Sequence, residues 1–176
     1  MSYTNTFKKL WGGSGAGEWA GYSYSVGIGC SHNCRYCYAC SFFVQEGIIP
    51  SYAAWPTEKP NRNKINIQQK VDKRVMFSSS HDISPAYLDT YCRALYNILA
   101  NDNEVLLVSK PHLECITHIC TEFKAFKSQM EFRFTIGSTK AEVCKFWEPG
   151  APAPEERMEC LQYATAAGYQ LSLIHI

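Results

Sequence analysis

The densest chemistry in the chain lies in Gly29–Tyr38, GCSHNCRYCY, which sets thiols at Cys30, Cys34 and Cys37 in a C-x3-C-x2-C spacing with Tyr36 just before the third. Three soft sulfur donors in one short loop suit an iron–sulfur cluster or zinc rather than oxygen-preferring cations. Three donors instead of four would leave one iron of a four-iron cluster open to a second ligand. Cys40 extends the run to C-x3-C-x2-C-x2-C, so a four-thiolate site competes. Structural zinc usually splits its ligands into two pairs joined by a longer spacer, for which Cys30–Cys40 is cramped. Ferredoxin-type sites draw on a second cysteine group or a distal fourth ligand. Cys40 is therefore expected to face the core from the apolar helix that follows the loop.

Composition narrows the classes. The chain has 9 cysteines in 176 residues, an odd number, and Cys92, Cys115, Cys120, Cys144 and Cys160 are scattered without paired spacing. That argues against a disulfide framework. The N-terminus, MSYTNTFKKLWGG, has no apolar core of a signal peptide, and no apolar run is long enough to span a membrane. Unpaired thiols and an oxygen-sensitive cluster predict a reducing, cytoplasmic setting. The net charge of +1 gives no push toward nucleic acid, and the basic residues Lys59, Arg62, Lys64, Lys70, Lys73 and Arg74 read as solvated surface.

The elements that must hold the loop follow from periodicity. Residues 1–20, Gly- and Ser-rich around Trp11 and Trp19, read as a loose lead-in. Gly21–Ile28 is predicted as a strand feeding the loop, and Cys37–Gln45 as a helix stopped by Gly47 and Pro50. Residues 51–74 read as loop with a short strand at Ile65–Ile67. Further strands are expected at Arg74–Ser79, Glu104–Val108, Glu131–Ile136 and from Tyr169. Helices are expected at Pro85–Ala100, His112–Phe126 and Pro154–Gly168. Ser84 is expected to cap the first of these, with Pro85 at its first position. The first would face inward through Tyr87, Leu88, Tyr91, Leu95, Ile98 and Leu99, and the last through Met158, Leu161 and Ala164. Alternating strands and helices predict an α/β fold with a parallel sheet. The chain is too short for an eight-fold barrel, so a partial barrel or a doubly wound sheet remains. Ligands in either bind at the strands' carboxyl ends, where the sequence sets Ser78–Pro85, Lys110, Ser138 and the Trp147–Arg157 stretch WEPGAPAPEER.

GCSHNCRYCYA resembles the cluster signature of radical S-adenosylmethionine (SAM) enzymes. EPGAPAPEERMECLQYATAAGYQ is similar to the matching stretch of their branch of spore photoproduct lyases and DNA repair photolyase-type proteins. The resemblance runs from about Tyr22 to Gln170. It implies a 4Fe–4S cluster on Cys30, Cys34 and Cys37, with SAM chelating the open iron and cleaved reductively to a radical that abstracts hydrogen from a substrate. It further implies Tyr36 near the adenine, and Ser80, Asp82, Lys110 and Ser138 at the methionine and ribose, with Lys110 opposite the carboxylate. A low-potential reductant such as flavodoxin or ferredoxin is implied as partner, and the substrate is open, nucleic acid included. One departure matters: those lyases carry a catalytic cysteine three residues before the aspartate matching Asp82, where this chain has Ser79. An iron–sulfur electron carrier or redox sensor that ignores SAM is the alternative reading. By the same resemblance the fold is a partial (β/α)6 barrel truncated after about four βα units. Its core is expected at residues 21–170. Residues 171–176 (LSLIHI) match a translated sequencing-adaptor end and are expected to be a non-native tail.

Overall fold

The computed structural model describes residues 7–10 and 15–174. In chain order the strands and α-helices are β1 (Lys8–Lys9), β2 (Tyr22–Tyr24), β3 (Gly27–Ile28), α1 (Tyr38–Gln45), β4 (Lys59–Pro60), β5 (Val75–Phe77), α2 (Leu88–Ala100), β6 (Val105–Ser109), α3 (Leu113–Glu122), β7 (Met130–Thr135), α4 (Ala141–Trp147), α5 (Pro154–Ala166) and β8 (Gln170–Ile174). The main sheet has the order β1-β2-β5-β6-β7-β8. β1 is antiparallel to β2, and every other pairing is parallel. The five parallel strands thus follow one another without a reversal. A doubly wound sheet turns back on itself at a switch point, so that alternative is excluded. Progression in one direction is the order of a barrel wall, and among the described residues this wall is open, with β8 at one edge.

The two faces of the sheet differ in chemistry. Val75, Phe77, Val105, Leu107, Phe132 and Phe134 share one face and are fully buried. They pack with Tyr91, Leu95, Ile98 and Leu99 of α2, Ile116, Ile119 and Cys120 of α3, and Cys160 and Ala164 of α5. The opposite face is apolar at Met76 and Leu106 but polar toward β8, where Arg74 and Arg133 both pair with Glu131 and Ser172 donates to it at 2.8 Å. Burying the apolar face contributes most of the folding free energy, at about 25 cal/mol per Å2. An apolar run such as β6, VLLVS, buried on both sides, is what a central parallel strand requires.

Several expectations are corrected. The lead-in is not wholly loose: Lys8–Lys9 adds an edge strand and Phe7 is buried against Tyr24, while Trp11 lies outside the described residues. Gly21–Ile28 is two strands, because the chain leaves the main sheet at Ser25 and β3 pairs with β4 in a separate ribbon. Ile65–Ile67 forms no strand, although Ile67 is buried. Ser84 stands at the N-cap with Pro85 at the first position, as expected, but of a 3-10 turn over Pro85–Tyr87 that leads into α2, and its hydroxyl donates to Glu58 instead of to a helix amide. Tyr87 and Met158 are exposed. α5 turns Arg157, Cys160 and Ala164 inward, so its buried face carries a charge where apolar periodicity would place Met158. α3 stops at Glu122 and continues as a 3-10 segment, Lys124–Gln129; α4 was not expected at all. The strand expected from Tyr169 is present as β8, pairing Gln170–Ile174 in register with Glu131–Thr135.

Candidate functional site

The cysteine loop sits at the carboxyl end of the parallel strands, built from two consecutive turns. The amide of Asn33 donates to the carbonyl of Cys30 at 3.2 Å, and that of Cys37 to the carbonyl of Cys34 at 3.1 Å, so two of the three cysteines each open a turn. Asn33 has φ +48°, a left-handed conformation that asparagine tolerates. Gly29 enters the loop at φ +89°, and a Cβ there would stand 2.3 Å from the carbonyl oxygen of Thr57, so no other residue fits. Cys37 is the N-cap of α1: its sulfur accepts the Cys40 amide at 3.5 Å, at the helix end where unpaired N–H groups point outward.

The loop is clamped from two sides. From the α4–α5 turn, the amide of Gly150 donates to the His32 carbonyl at 2.9 Å, while the Arg35 amide donates to Trp147 at 2.8 Å. The two sequence motifs, far apart in the chain, therefore meet backbone to backbone. From the other side Glu58 accepts from the Ser31 amide at 2.9 Å and from the Ser84 hydroxyl, tying the loop to the segment after β5.

Beneath the loop lie two buried charge networks. Asp82 accepts from the Lys110 amide at 2.8 Å, from the Ile83 amide at 2.9 Å and from the Ser109 hydroxyl, and its carboxylate lies 3.3 Å from Nδ1 of His32. Burial pushes its acidity down, but His32, Lys110 and Ser109 outweigh burial and hold the carboxyl well below the usual carboxylate range. His32 continues to His112, Nε2 to Nε2 at 3.0 Å, and His112 to Glu156 at 3.8 Å. The second network centres on Glu148, buried with Arg157 at 2.6 Å, Lys110 at 3.9 Å and the Tyr36 hydroxyl donating to it. The Lys110 ammonium also lies 5.5 Å from the centre of the Tyr36 ring.

Sequence-predicted residues are thus partly assembled. Cys30, Cys34, Tyr36, Asp82 and Lys110 belong to one connected cluster. Ser80 lies beside it, its hydroxyl donating to Ser25 at 2.8 Å together with the amides of Ser79 and Ser80. Ser138 stands apart, bonded to the Lys140 amide and the Cys144 thiol. Cys40 is buried with Ala39, Ile49 and Trp55, as expected of a core-facing residue, and its side also borders an open cavity of about 460 Å3 lined by Cys34, Cys37, Arg35 and Tyr52. His32, Glu58 and His112 were missed. His32 could have been flagged by its place between two of the cysteines. Nothing in the sequence marks Glu58, whose partners are distant in the chain.

The donor set can be tested for its metal. Around one zinc ion, sulfurs at about 2.3 Å from the metal stand about 3.8 Å apart. Cys30, Cys34 and Cys37 do not come that close as a trio. Among the described residues, the group whose donor atoms all lie within 4.8 Å of one another is Cys92, His118 and Glu122, elsewhere in the fold. Burial pushes the Cys30 thiol up to about 12 and the Cys34 thiol up to about 11, the latter opposed by the Lys110 ammonium. A bound cation would reverse that balance.

No family model matches the chain. It is 26% identical over 176 residues to an uncharacterized protein of Acidianus two-tailed virus, covering 93% of this chain and 58% of that protein. It is 27% identical over 140 residues to an uncharacterized protein of Methanocaldococcus jannaschii, covering 77% and 51%. Spore photoproduct lyase complexed with dinucleoside spore photoproduct superposes at a TM-score of 0.67 and 19% identity, over 98% of this chain and 48% of that one. A mutant of that lyase gives 0.66 at 21%, over 97% and 48%. The likeness shows a shared fold, and this chain spans about half the length of the proteins it matches. No helix among the described residues is long and apolar enough to cross a membrane.

Proposed function

We propose that this chain is the cluster-binding part of a radical SAM enzyme of the spore photoproduct lyase-like branch, working in a reducing cytoplasm. Cys30, Cys34 and Cys37 would hold a 4Fe–4S cluster, and SAM would take the open iron. The observation that carries the reading is the three-thiol loop at the carboxyl end of a sequentially ordered parallel sheet, locked to Trp147 and Gly150 by backbone hydrogen bonds. When bound, the cluster supplies the single electron that cleaves SAM to methionine and a 5′-deoxyadenosyl radical.

The chain's own residues position and shield. Lys110 is the ammonium for the SAM carboxylate: Glu148 holds it at 3.9 Å, a loose pairing that leaves its donors free for a second acid group. Tyr36, fixed by its hydroxyl on Glu148, offers a ring face to the adenine. Asp82 spends its oxygens on His32, Ser109 and the Lys110 amide, so its contribution is to orient the cysteine loop and the Lys110 backbone together. Ser80, beside Asp82, and Ser138, from the end of β7, would complete the ribose and methionine side. The electron would come from a flavodoxin or ferredoxin.

The substrate would be a carbon–hydrogen donor of open identity, nucleic acid included. Ser79 stands where those lyases have cysteine. A hydroxyl is a far poorer hydrogen donor to a carbon radical than a thiol, because its O–H bond is stronger. Repair of spore photoproduct DNA by the protein with Ser79 intact would refute this. The cofactor assignment is tested by anaerobic cluster reconstitution and EPR of the reduced protein. A 4Fe–4S signal that changes on adding SAM, and disappears in Cys34→Ala, is expected. A cluster indifferent to SAM would make the protein an electron carrier or sensor instead.

A further inference from the structure

The trio Cys92, His118 and Glu122 belongs to neither network described above. Cys92 comes from the buried side of α2, and His118 and Glu122 from the outer face of α3 one turn apart. Their donor atoms lie within 4.8 Å of one another, with His118 Nε2 2.8 Å from the Glu122 carboxylate. An i,i+4 His–Glu pair alone is an ordinary surface contact. The third member makes the difference: a 5% exposed thiol from another helix, facing the same imidazole and carboxylate. No cation among the described residues pairs with Glu122; its partner is His118. Beside it an open cavity of about 350 Å3, bordered by Cys92, Glu122, Asn97 and Tyr96, leaves room for water to complete a coordination shell.

We propose that Cys92, His118 and Glu122 form a second metal site, for a divalent ion of the zinc class, that clips α2 to α3. One sulfur, one imidazole nitrogen and one carboxylate oxygen, with water as fourth ligand, is a donor set that zinc accepts. Binding converts the Cys92 thiol to thiolate and releases its proton to solvent; no electron moves. The ion joins the two helices that cover the apolar face of β5 and β6.

Cobalt(II) is the probe, since thiolate–cobalt charge transfer reports a bound sulfur and the visible bands report coordination geometry. The full chain carrying Cys30→Ser, Cys34→Ser, Cys37→Ser and Cys40→Ser, titrated anaerobically, should bind one equivalent with a thiolate band, and zinc should displace it. His118→Ala and Glu122→Gln change exposed side chains and leave the fold intact; each should weaken binding tenfold or more, and Cys92→Ser should abolish the thiolate band. As a check free of the loop substitutions, His118→Ala in the otherwise native chain should lower its total zinc stoichiometry by one. Binding that is unchanged in His118→Ala and Glu122→Gln, or that never shows a thiolate band, overturns the proposal.

Discussion

Replacing Glu148 by Gln removes one charge and changes almost no volume, so it isolates what the buried carboxylate does. Glu148 is 3% exposed and Arg157 fully buried, 2.6 Å apart, with Lys110 a further 3.9 Å away. At an effective dielectric of about 20 those two pairs are worth roughly 6 and 4 kcal/mol before desolvation. Desolvation cancels several kcal/mol per ion, so the pair is no great source of stability, but breaking it strands a buried guanidinium. Such breakage typically costs about 3–5 kcal/mol. Arg157 keeps hydrogen bonds to the carbonyls of Pro152 (2.8 Å) and Thr135 (3.3 Å), which favours the lower end, about 3 kcal/mol. With a urea slope of about 2 kcal/mol/M, the midpoint should fall by roughly 1.5 M. The companion Arg157→Met strands Glu148 instead. The double variant should then cost at least about 2 kcal/mol less than the two singles summed, because one broken pair is counted twice. A loss below about 1 kcal/mol in Glu148→Gln, or strictly additive singles, would refute the view that this pair is a buried, coupled unit.

Three further outcomes follow from the same geometry. At Gly150 a Cβ would stand 2.0 Å from the Ser31 carbonyl oxygen, a backbone atom that cannot rotate away, so Gly150→Ala should displace the cysteine loop. Iron retained per chain after reconstitution should drop, whereas Gly47→Ala, at φ +65° in open space, should cost only about 1 kcal/mol and keep its iron. Acid should destabilise the fold in two windows. Burial lowers the folded pKa of His81, and of His112, below the ordinary 6.5, so below pH 6.5 the unfolded chain takes up protons the native state refuses and stability falls. Asp82, held below its ordinary 3.8, adds a second loss as pH drops under that value. Urea midpoints at pH 7.5, 5.5 and 3.5 should decline in turn, and His81→Gln should flatten the first step; a flat profile from 7.5 to 5.5 would count against the burial of His81. Lastly, Glu58→Gln halves the charge-assisted clamp on Ser31 and Ser84, costing about 1–2 kcal/mol by urea denaturation, with iron content lowered in parallel.

What the sequence made legible, and what it did not, divides along the range of the interactions. β6 and α2 announce themselves because their apolar pattern is local and their burial follows from it: Val105–Leu107 are fully buried, as are Leu95 and Ile98. The cysteine loop was equally plain, since thiols at that spacing have few other uses. α5 misled for the opposite reason. Its inward face is set by the Arg157–Glu148 pair, which no periodicity measures, so apolar spacing points Met158 inward although it lies outside. α4 was invisible because only Cys144 of its seven residues is buried, leaving no stripe to detect. The clamps were invisible too, for Glu58 reaches Ser31 and Ser84 across 27 and 26 residues. Yet these long-range contacts are what convert a three-thiol motif into a held site. Asp82 shows the step most clearly. The resemblance marks it for SAM; its carboxylate in the fold also meets His32, Ser109 and the Lys110 amide, and so ties the loop to the end of β6. The residue types were chosen for chemistry that the sequence displays, and their aim is set by contacts that it does not.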